Sequence, residues 1–260
     1  MLQITKARLG GLRRIQLYGN PGTFLGRSKG GKKTTSLFRL NPSYAKAVGF
    51  TLRKEIKYPK KSKELAEFMG IMLGDGGLPG NHQLTITFNY RTDREYARYI
   101  CDILKRLFSV NYFLRKRRKN NGADIVVSSS NLVDFLSEQG LTKGNKIRNQ
   151  IDVPHWIKRR LEFQIACLRG LMDTDGSIYL HKYCISGRNY QYPKICFTNN
   201  SKPLLHFVFG MLKRLNFRPC LSGNNVSIYS KFEVRRYFKE IGTHNLKHKN
   251  KFKNYFYNLN

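Results

Sequence analysis

The chain has 260 residues, 40% of them hydrophobic and 25% charged, which is enough apolar material for one large folded domain or two halves. Its 48 Lys and Arg outnumber 16 Asp and Glu, for a net charge of +32. A protein at that charge repels itself unless a polyanion neutralises it, so nucleic acid is the expected partner, and an acidic membrane surface fits poorly because the basic residues are spread along the chain rather than along one amphipathic helix.

Residues 1–62 hold fifteen Lys or Arg and a single acid, Glu55, for a net of +14. Basic stretches containing glycine recur near Gly10, Gly30 and Gly49. They read either as a weak repeat of small DNA-binding turns or as a flexible basic arm. "GRSKGGKK" is a near miss to a phosphate-cradling loop, but Lys33 stands where Ser or Thr would hold Mg²⁺ and no apolar strand precedes Gly26. An organellar transit peptide is compatible with this acid-poor start, whereas a secretory signal is not.

Residues 63–260 contain an internal repeat. "LAEFMGIMLGDGG" (65–77) aligns without gaps on "IACLRGLMDTDGS" (165–177), with Ala66/Ala166, Gly70/Gly170, Met72/Met172, Asp75/Asp175 and Gly76/Gly176 identical. Downstream, "ILKRLF" (103–108) answers "MLKRLNF" (211–217), and "DFLSEQGL" (134–141) answers "RYFKEIGT" (236–243). The expected divisions are a basic extension over 1–62, one half over 63–150, a linker over 151–160 broken by Pro154, and a second half over 161–260.

In chain order, Ser62 is placed to cap a helix running into Gly74. "LTITFNYR" (84–91) alternates, sending Leu84, Ile86 and Phe88 inward and Thr85, Thr87, Asn89 and Arg91 outward. "DIVVSS" (124–129) reads as a later strand, and apolar periodicity predicts a helix over 96–108. In the second half "KICFT" (194–198) and "NVSIYS" (225–230) are strands around a helix over 204–215. This pattern is α+β with pseudo-two-fold symmetry. No apolar run approaches the ~18 residues of a membrane span. The five cysteines form no C-x-x-C pair, so neither a zinc site nor a disulfide framework is supported and a reducing intracellular compartment is expected: bacterial or phage cytoplasm, or an organelle. The six histidines show no metal-ligand spacing, and His155, His181 and His206 read as loop or core residues.

Ala66, Gly70 and Gly74 in one copy, and Ala166, Gly170 and Thr174 in the other, place a small-residue stripe on one helix face. Glycine inside a helix costs roughly 0.5–1 kcal/mol, so close approach of the two copies is the expected compensation. Each stripe ends in an acid at a helix C-terminus, where the carbonyls are already partially negative. Bringing Asp75 and Asp175 together there favours a divalent cation, with backbone carbonyls such as those of Gly74 and Thr174 as further hard oxygen ligands suited to Mg²⁺.

"FMGIMLGDG" (68–76) and "LRGLMDTDG" (168–176) resemble the two motifs of single-chain LAGLIDADG homing endonucleases, and the resemblance covers about residues 63–260. It implies two αββαββα halves whose motif helices form the interface, a pair of sheets laid as a saddle over double-stranded DNA, and final acids, Asp75 and Asp175, that bind the catalytic metals: Mg²⁺, with Mn²⁺ or Ca²⁺ able to occupy the site. The family also places a basic residue near each scissile phosphate. Lys146 lies 71 residues after Asp75 and Lys247 lies 72 after Asp175, which makes them the candidates, with Lys143 and Lys249 as competitors. Two departures stand out: Leu73 occupies the position of Asp173, and Thr174 that of Gly74.

Base reading is expected from Thr85, Thr87, Asn89 and Arg91 in one half and Lys194 and Thr198 in the other, with Arg115 and Arg117 in "LRKRRKN" positioned on phosphates. The expected activity is Mg²⁺-dependent, sequence-specific cleavage of both DNA strands by a monomer. The rival readings are a maturase bound to its own intron RNA and a non-catalytic DNA-binding regulator. A self-splicing element is disfavoured, since Met1 is neither Cys nor Ser and Asn260 lacks a preceding His.

Overall fold

A computed structural model of the protein describes residues 6–20, 22–50, 52–118 and 120–257. Met1 and Asn260, which bear on self-splicing, and Lys119 of the basic run lie outside the described residues. The chain divides into two compact units, one ending at Arg53 and the other running from Lys54. No helix among the described residues is long and apolar enough to cross a membrane.

The first unit is helical: α1 (Lys6–Tyr18), α2 (Phe24–Leu40) and α3 (Pro42–Ala47). The glycine-containing stretches near Gly10 and Gly30 lie inside α1 and α2 rather than in turns. Thr23 caps α2 by accepting from the Gly26 N–H at 3.1 Å, and Pro42 opens α3 where its missing donor costs nothing. α2 buries no residue, and its Phe38 packs against Phe50 and Tyr44.

The second unit repeats one motif. Its first copy is α4 (Lys63–Gly74), β1 (Gly76–Gly77), β2 (Gln83–Asn89), α5 (Arg94–Phe108), β3 (Phe113–Lys116), β4 (Gly122–Ser128) and α6 (Ser130–Glu138). After the short α7 (His155–Lys158), the second is α8 (Leu161–Thr174), β5 (Gly176–Ile185), β6 (Arg188–Thr198), α9 (Lys202–Arg214), β7 (Cys220–Ser222), β8 (Asn225–Ile228) and α10 (Lys231–Glu240), followed by α11 (Leu246–Tyr257). Both sheets are antiparallel with matching order, β1-β2-β4-β3 and β5-β6-β8-β7. The compact unit begins before Ser62: the Lys57 N–H donates to the Phe108 carbonyl at 2.9 Å, and Tyr58 packs edge-on against Phe135.

Ser62 caps α4, accepting from the Leu65 N–H at 3.2 Å. Leu84, Ile86 and Phe88 point into the core as their alternation requires, pairing across the sheet with Val127, Ile125 and Ala123. The β5–β6 hairpin is longer than expected. Its turn, Ser186–Gly187, has both residues at positive φ (52° and 77°), the geometry of a tight two-residue hairpin, and a Ser-Gly pair between alternating segments is the signal that marks it.

The two motif helices pack on each other along their small faces. A Cβ on Gly70 would fall well inside contact distance of the Cys167 carbonyl oxygen, and one on Gly170 would do the same to the Glu67 carbonyl oxygen. Neither backbone oxygen can retreat, because each belongs to a helix ladder. Gly170→Ala should therefore lower the unfolding free energy by about 3 kcal/mol. Gly210→Ala, in the open middle of α9, should raise it by about 0.5–1 kcal/mol. Urea denaturation of the two variants beside the wild type measures both.

Candidate metal and nucleic-acid site

The crossing at Gly70 and Gly170 fixes what happens one turn later. Gly74 and Thr174 meet at the helix ends, so closely that a Cβ on Gly74 would strike the Thr174 side chain and lie 3.5 Å from the Asp175 carboxyl carbon. Asp75 and Asp175 cap the two helices in the same way, their N–H groups donating to the Ile71 and Leu171 carbonyls. Their own carbonyls accept from Thr87 N–H at 3.1 Å and Thr198 N–H at 3.3 Å, tying each helix end to a central strand.

The two carboxylates lie beside each other, and their electrostatics show it. Asp75 keeps an opening to solvent, but loss of water to the surrounding protein, and then the charge of Asp175, push its pKa up to about 7 against the opposing pull of Lys146. Burial also raises Asp175, partly offset by a hydrogen bond from the Asn199 amide at 2.7 Å and by Lys146.

The lysines reach this cluster by different routes. The Lys146 ammonium donates to the carbonyls of Met72 (3.2 Å), Leu73 (2.9 Å) and Gly74. Helix-end carbonyls attract a cation in this way. The Gly74 carbonyl, expected as a metal ligand, is thus already engaged by Lys146. Burial lowers the Lys146 pKa while Asp175 and Asp75 work to raise it. Lys247 instead pairs with Asp93 at 2.7 Å, and both line a pocket of about 250 Å³ with Asp75, Thr174 and Asn245. Of the competitors, Lys143 is engaged by Asn81 and Asp134, and Lys249 is exposed on α11. The Thr174 hydroxyl bonds back to the Gly170 and Leu171 carbonyls.

On the non-core face of the first sheet, Thr87 and Arg115 sit across the strands from Asp124. Asp124 is only 3% exposed and accepts from Thr87 (2.9 Å), Arg115 (3.1 Å) and Arg117 (2.7 Å). Burial alone would raise its pKa, yet the hydrogen bonds from Arg117, Thr87 and Arg115 hold it low. Arg115 and Arg117, expected on phosphates, are therefore oriented by an acid that sequence reading passed over. Thr85 is half-buried on this face. Arg91 lies beyond the end of β2, in a turn closed by the Asn89 side chain, which accepts from the Arg91 and Thr92 N–H groups at 3.0 and 3.2 Å. Asn89 closes the outward row of β2 as the alternation predicted, but Arg91 does not extend it, because the Asn89 side chain captures the local backbone. In the second sheet the Lys194 ammonium lies 4.5 Å from the Tyr229 ring centre, and Thr198 donates to Asn225 at 2.6 Å.

Asp93, Asn199, Asn245 and Asp124 were missed. Each sits in a turn or strand where an Asp or Asn is ordinary, and only the fold gives it a neighbour. The same holds for Glu67, Asp173 and His244, whose ligand-type atoms lie within 4.8 Å of one another. Protein donors occupy these acids: Glu67 accepts from Tyr99 (2.7 Å) and Arg169 (2.9 Å), and Asp173 from Thr243 and the His244 N–H (2.8 Å).

Residues 162–242 match the LAGLIDADG-like domain family. The first copy, outside those residues, repeats the same helix and sheet order, with the strands arranged β1-β2-β4-β3 against β5-β6-β8-β7. A stretch of 125 residues is 30% identical to the replication factor C small subunit of Methanocaldococcus jannaschii, spanning 48% of this chain but only 6% of that protein. Among solved structures, the homing endonuclease I-DmoI in complex with DNA and Mn is 16% identical, with a TM-score of 0.44 over 69% of this chain and 96% of that one. Full-length DUF199/WhiA from Thermatoga maritima is 16% identical, with a TM-score of 0.47 over 74% of this chain and 60% of that one.

Asp75 gives a pH signature. A carboxyl whose pKa rises from 3.8 to about 7 on folding binds its proton more tightly folded than unfolded, so the fold is favoured below that window and loses stability as pH rises through it. In metal-free buffer the wild-type Tm should fall more between pH 5 and pH 8 than that of Asp75→Asn, which has no charge to accumulate. Calorimetric scans at the two pH values check the difference.

Proposed function

We propose that this protein is a sequence-specific endonuclease that hydrolyses both strands of a DNA duplex with divalent metal ions, acting as a monomer because one chain supplies both halves. The observation that carries this reading is the pair of crowded helix-end carboxylates, Asp75 and Asp175, with Lys146 directly above one helix end and Lys247 at the adjoining pocket.

The residues fit a hard divalent cation. Asp75 and Asp175 offer carboxylate oxygens whose mutual repulsion a dication relieves, and among the described residues only one side-chain hydrogen bond, from Asn199, competes for them. Bound Mg²⁺ would be held by these two side chains, where it lowers the pKa of a water and offsets charge on the phosphoryl group. The chain's own residues supply the rest. The Lys146 ammonium, fixed by helix-end carbonyls and drawn towards both acids, is presented to a phosphate oxygen as charge builds there. Lys247 plays the corresponding part on the second strand. Thr85, Thr87, Arg115 and Arg117 on one sheet, and Lys194 and Thr198 on the other, bind the duplex and set its register.

The test is a randomised plasmid library incubated with Mg²⁺, with Asp75→Asn and Asp175→Asn alongside. Linear product from the wild type and none from either variant is the expected result, and retained cutting by both variants refutes the site. Duplex binding without cutting would instead make the protein a DNA-binding regulator, and footprints on intron RNA alone would make it a maturase. Added Mg²⁺ should also raise the wild-type Tm at pH 8 by a few degrees and that of Asp75→Asn by less, as expected for a ligand that binds only the folded state.

A further inference from the structure

The two copies of the motif differ at one buried position, and the difference controls how the second lysine is held. Leu73 packs in the core of the first half. Its counterpart, Asp173, is 2% exposed and grips three consecutive residues of the segment that follows α10. One carboxylate oxygen accepts from the Thr243 hydroxyl, the other accepts from the His244 N–H at 2.8 Å, and the Asp173 carbonyl accepts from the Asn245 amide at 2.9 Å. Asn245, 1% exposed, passes the constraint on: its side-chain oxygen accepts from the Lys247 N–H at 3.0 Å. The His244 ring meets Glu67 at 2.6 Å and stacks on Tyr99 at 4.4 Å, which docks the segment onto the first half.

The first half holds its lysine without such a device. Lys146 sits with its ammonium on the α4 carbonyls themselves, and its segment is tied back by the Gly144 N–H donating to the Leu78 carbonyl at 3.0 Å. In the second half Asn245 takes the Asp173 carbonyl, and the ammonium goes to Asp93. Head and anchor are thus one group in Lys146 and separate groups in Lys247.

We propose that Asp173 is a positioning residue for Lys247, and that through it the two strand cuts are supported by separate devices: Lys146 for one strand, the Asp173–Asn245–Lys247 relay for the other. This rests on the endonuclease reading above. It predicts an uncoupling that general destabilisation would not produce. Removing the Asp173 carboxylate should slow one strand only, and the enzyme should accumulate nicked duplex.

The experiment labels the two strands of the cleaved target with different fluorophores and measures single-turnover rates with Mg²⁺ for each strand. Asp173→Leu, which installs the residue of the first copy, and Lys247→Ala should each slow the same strand by about 10- to 100-fold, as a misplaced catalytic group does, with the other strand nearly unchanged. Lys146→Ala should slow the opposite strand. The Asp173→Leu/Lys247→Ala double variant should be no slower on its strand than the worse single variant. Competitive acetylation of the uncut protein gives a readout independent of cleavage: Lys247 should become more reactive in Asp173→Leu while Lys146 does not. If Asp173→Leu fails to fold, Asp173→Asn and Thr243→Val, which keep most of the contacts, carry the same comparison. Equal slowing of both strands, effects on different strands for Asp173 and Lys247, or unchanged Lys247 labelling overturns the inference while leaving the endonuclease reading intact. A wild type that cuts no substrate defeats the endonuclease reading itself.

Discussion

Two helices can bring their backbones together only where neither carries a side chain, and here that happens at Gly70 and Gly170, each facing a carbonyl of the other helix. Everything at the centre of the protein is set by this contact. With the crossing fixed, the helix C-termini must arrive side by side, and the residues that cap them, Asp75 and Asp175, share one small volume. The glycines cost helix stability locally. The close approach they permit offsets that cost and places two negative charges where two helix dipoles already point negative. The fold thus concentrates an electrostatic deficit at its own seam, and cations must answer it. Lys146 answers part, and the carboxylate pair remains an opening for a divalent ion.

Around this seam the molecule is symmetric in topology and asymmetric in detail. The two sheets share strand order and register logic, yet the second begins with a hairpin of ten- and eleven-residue strands where the first begins with strands of two and seven. The outward faces differ in chemistry too. The first presents hydroxyls and guanidinium groups organised by buried Asp124, and the second presents Lys194 between Tyr179 and Tyr229, with Tyr183 stacked on Tyr190 further out. Anything lying across both would meet two different surfaces.

Much of this was legible in the residues. The 100-residue offset between the motifs, the Ser62 cap, the alternation of Leu84, Ile86 and Phe88, and the small-residue stripes are all local or periodic signals, and each corresponds to the feature it suggested. Other features were not. The basic glycine stretches near Gly10 and Gly30 suggested turns, yet they continue as helix. Arg91 suggested a further strand position, but the Asn89 side chain had already closed a turn. Arg115 and Arg117 looked like free cations for phosphate, whereas Asp124 orients them from the neighbouring strand.

The sequence by itself determined the duplication, the pairing of Asp75 with Asp175 and the strongly basic character, because periodicity, repetition and charge are properties of the chain and survive without knowledge of its path. The tertiary structure alone decided that Lys146 sits on the α4 carbonyls, that of Gly74 included, while Lys247 pairs with Asp93, and that the Asp173 side chain grips the segment at residues 243–244 where the Leu73 side chain packs in the core. Those pairings join groups far apart in the chain, and a hydrogen bond a few ångströms long between such groups exists only after the intervening chain has chosen its route.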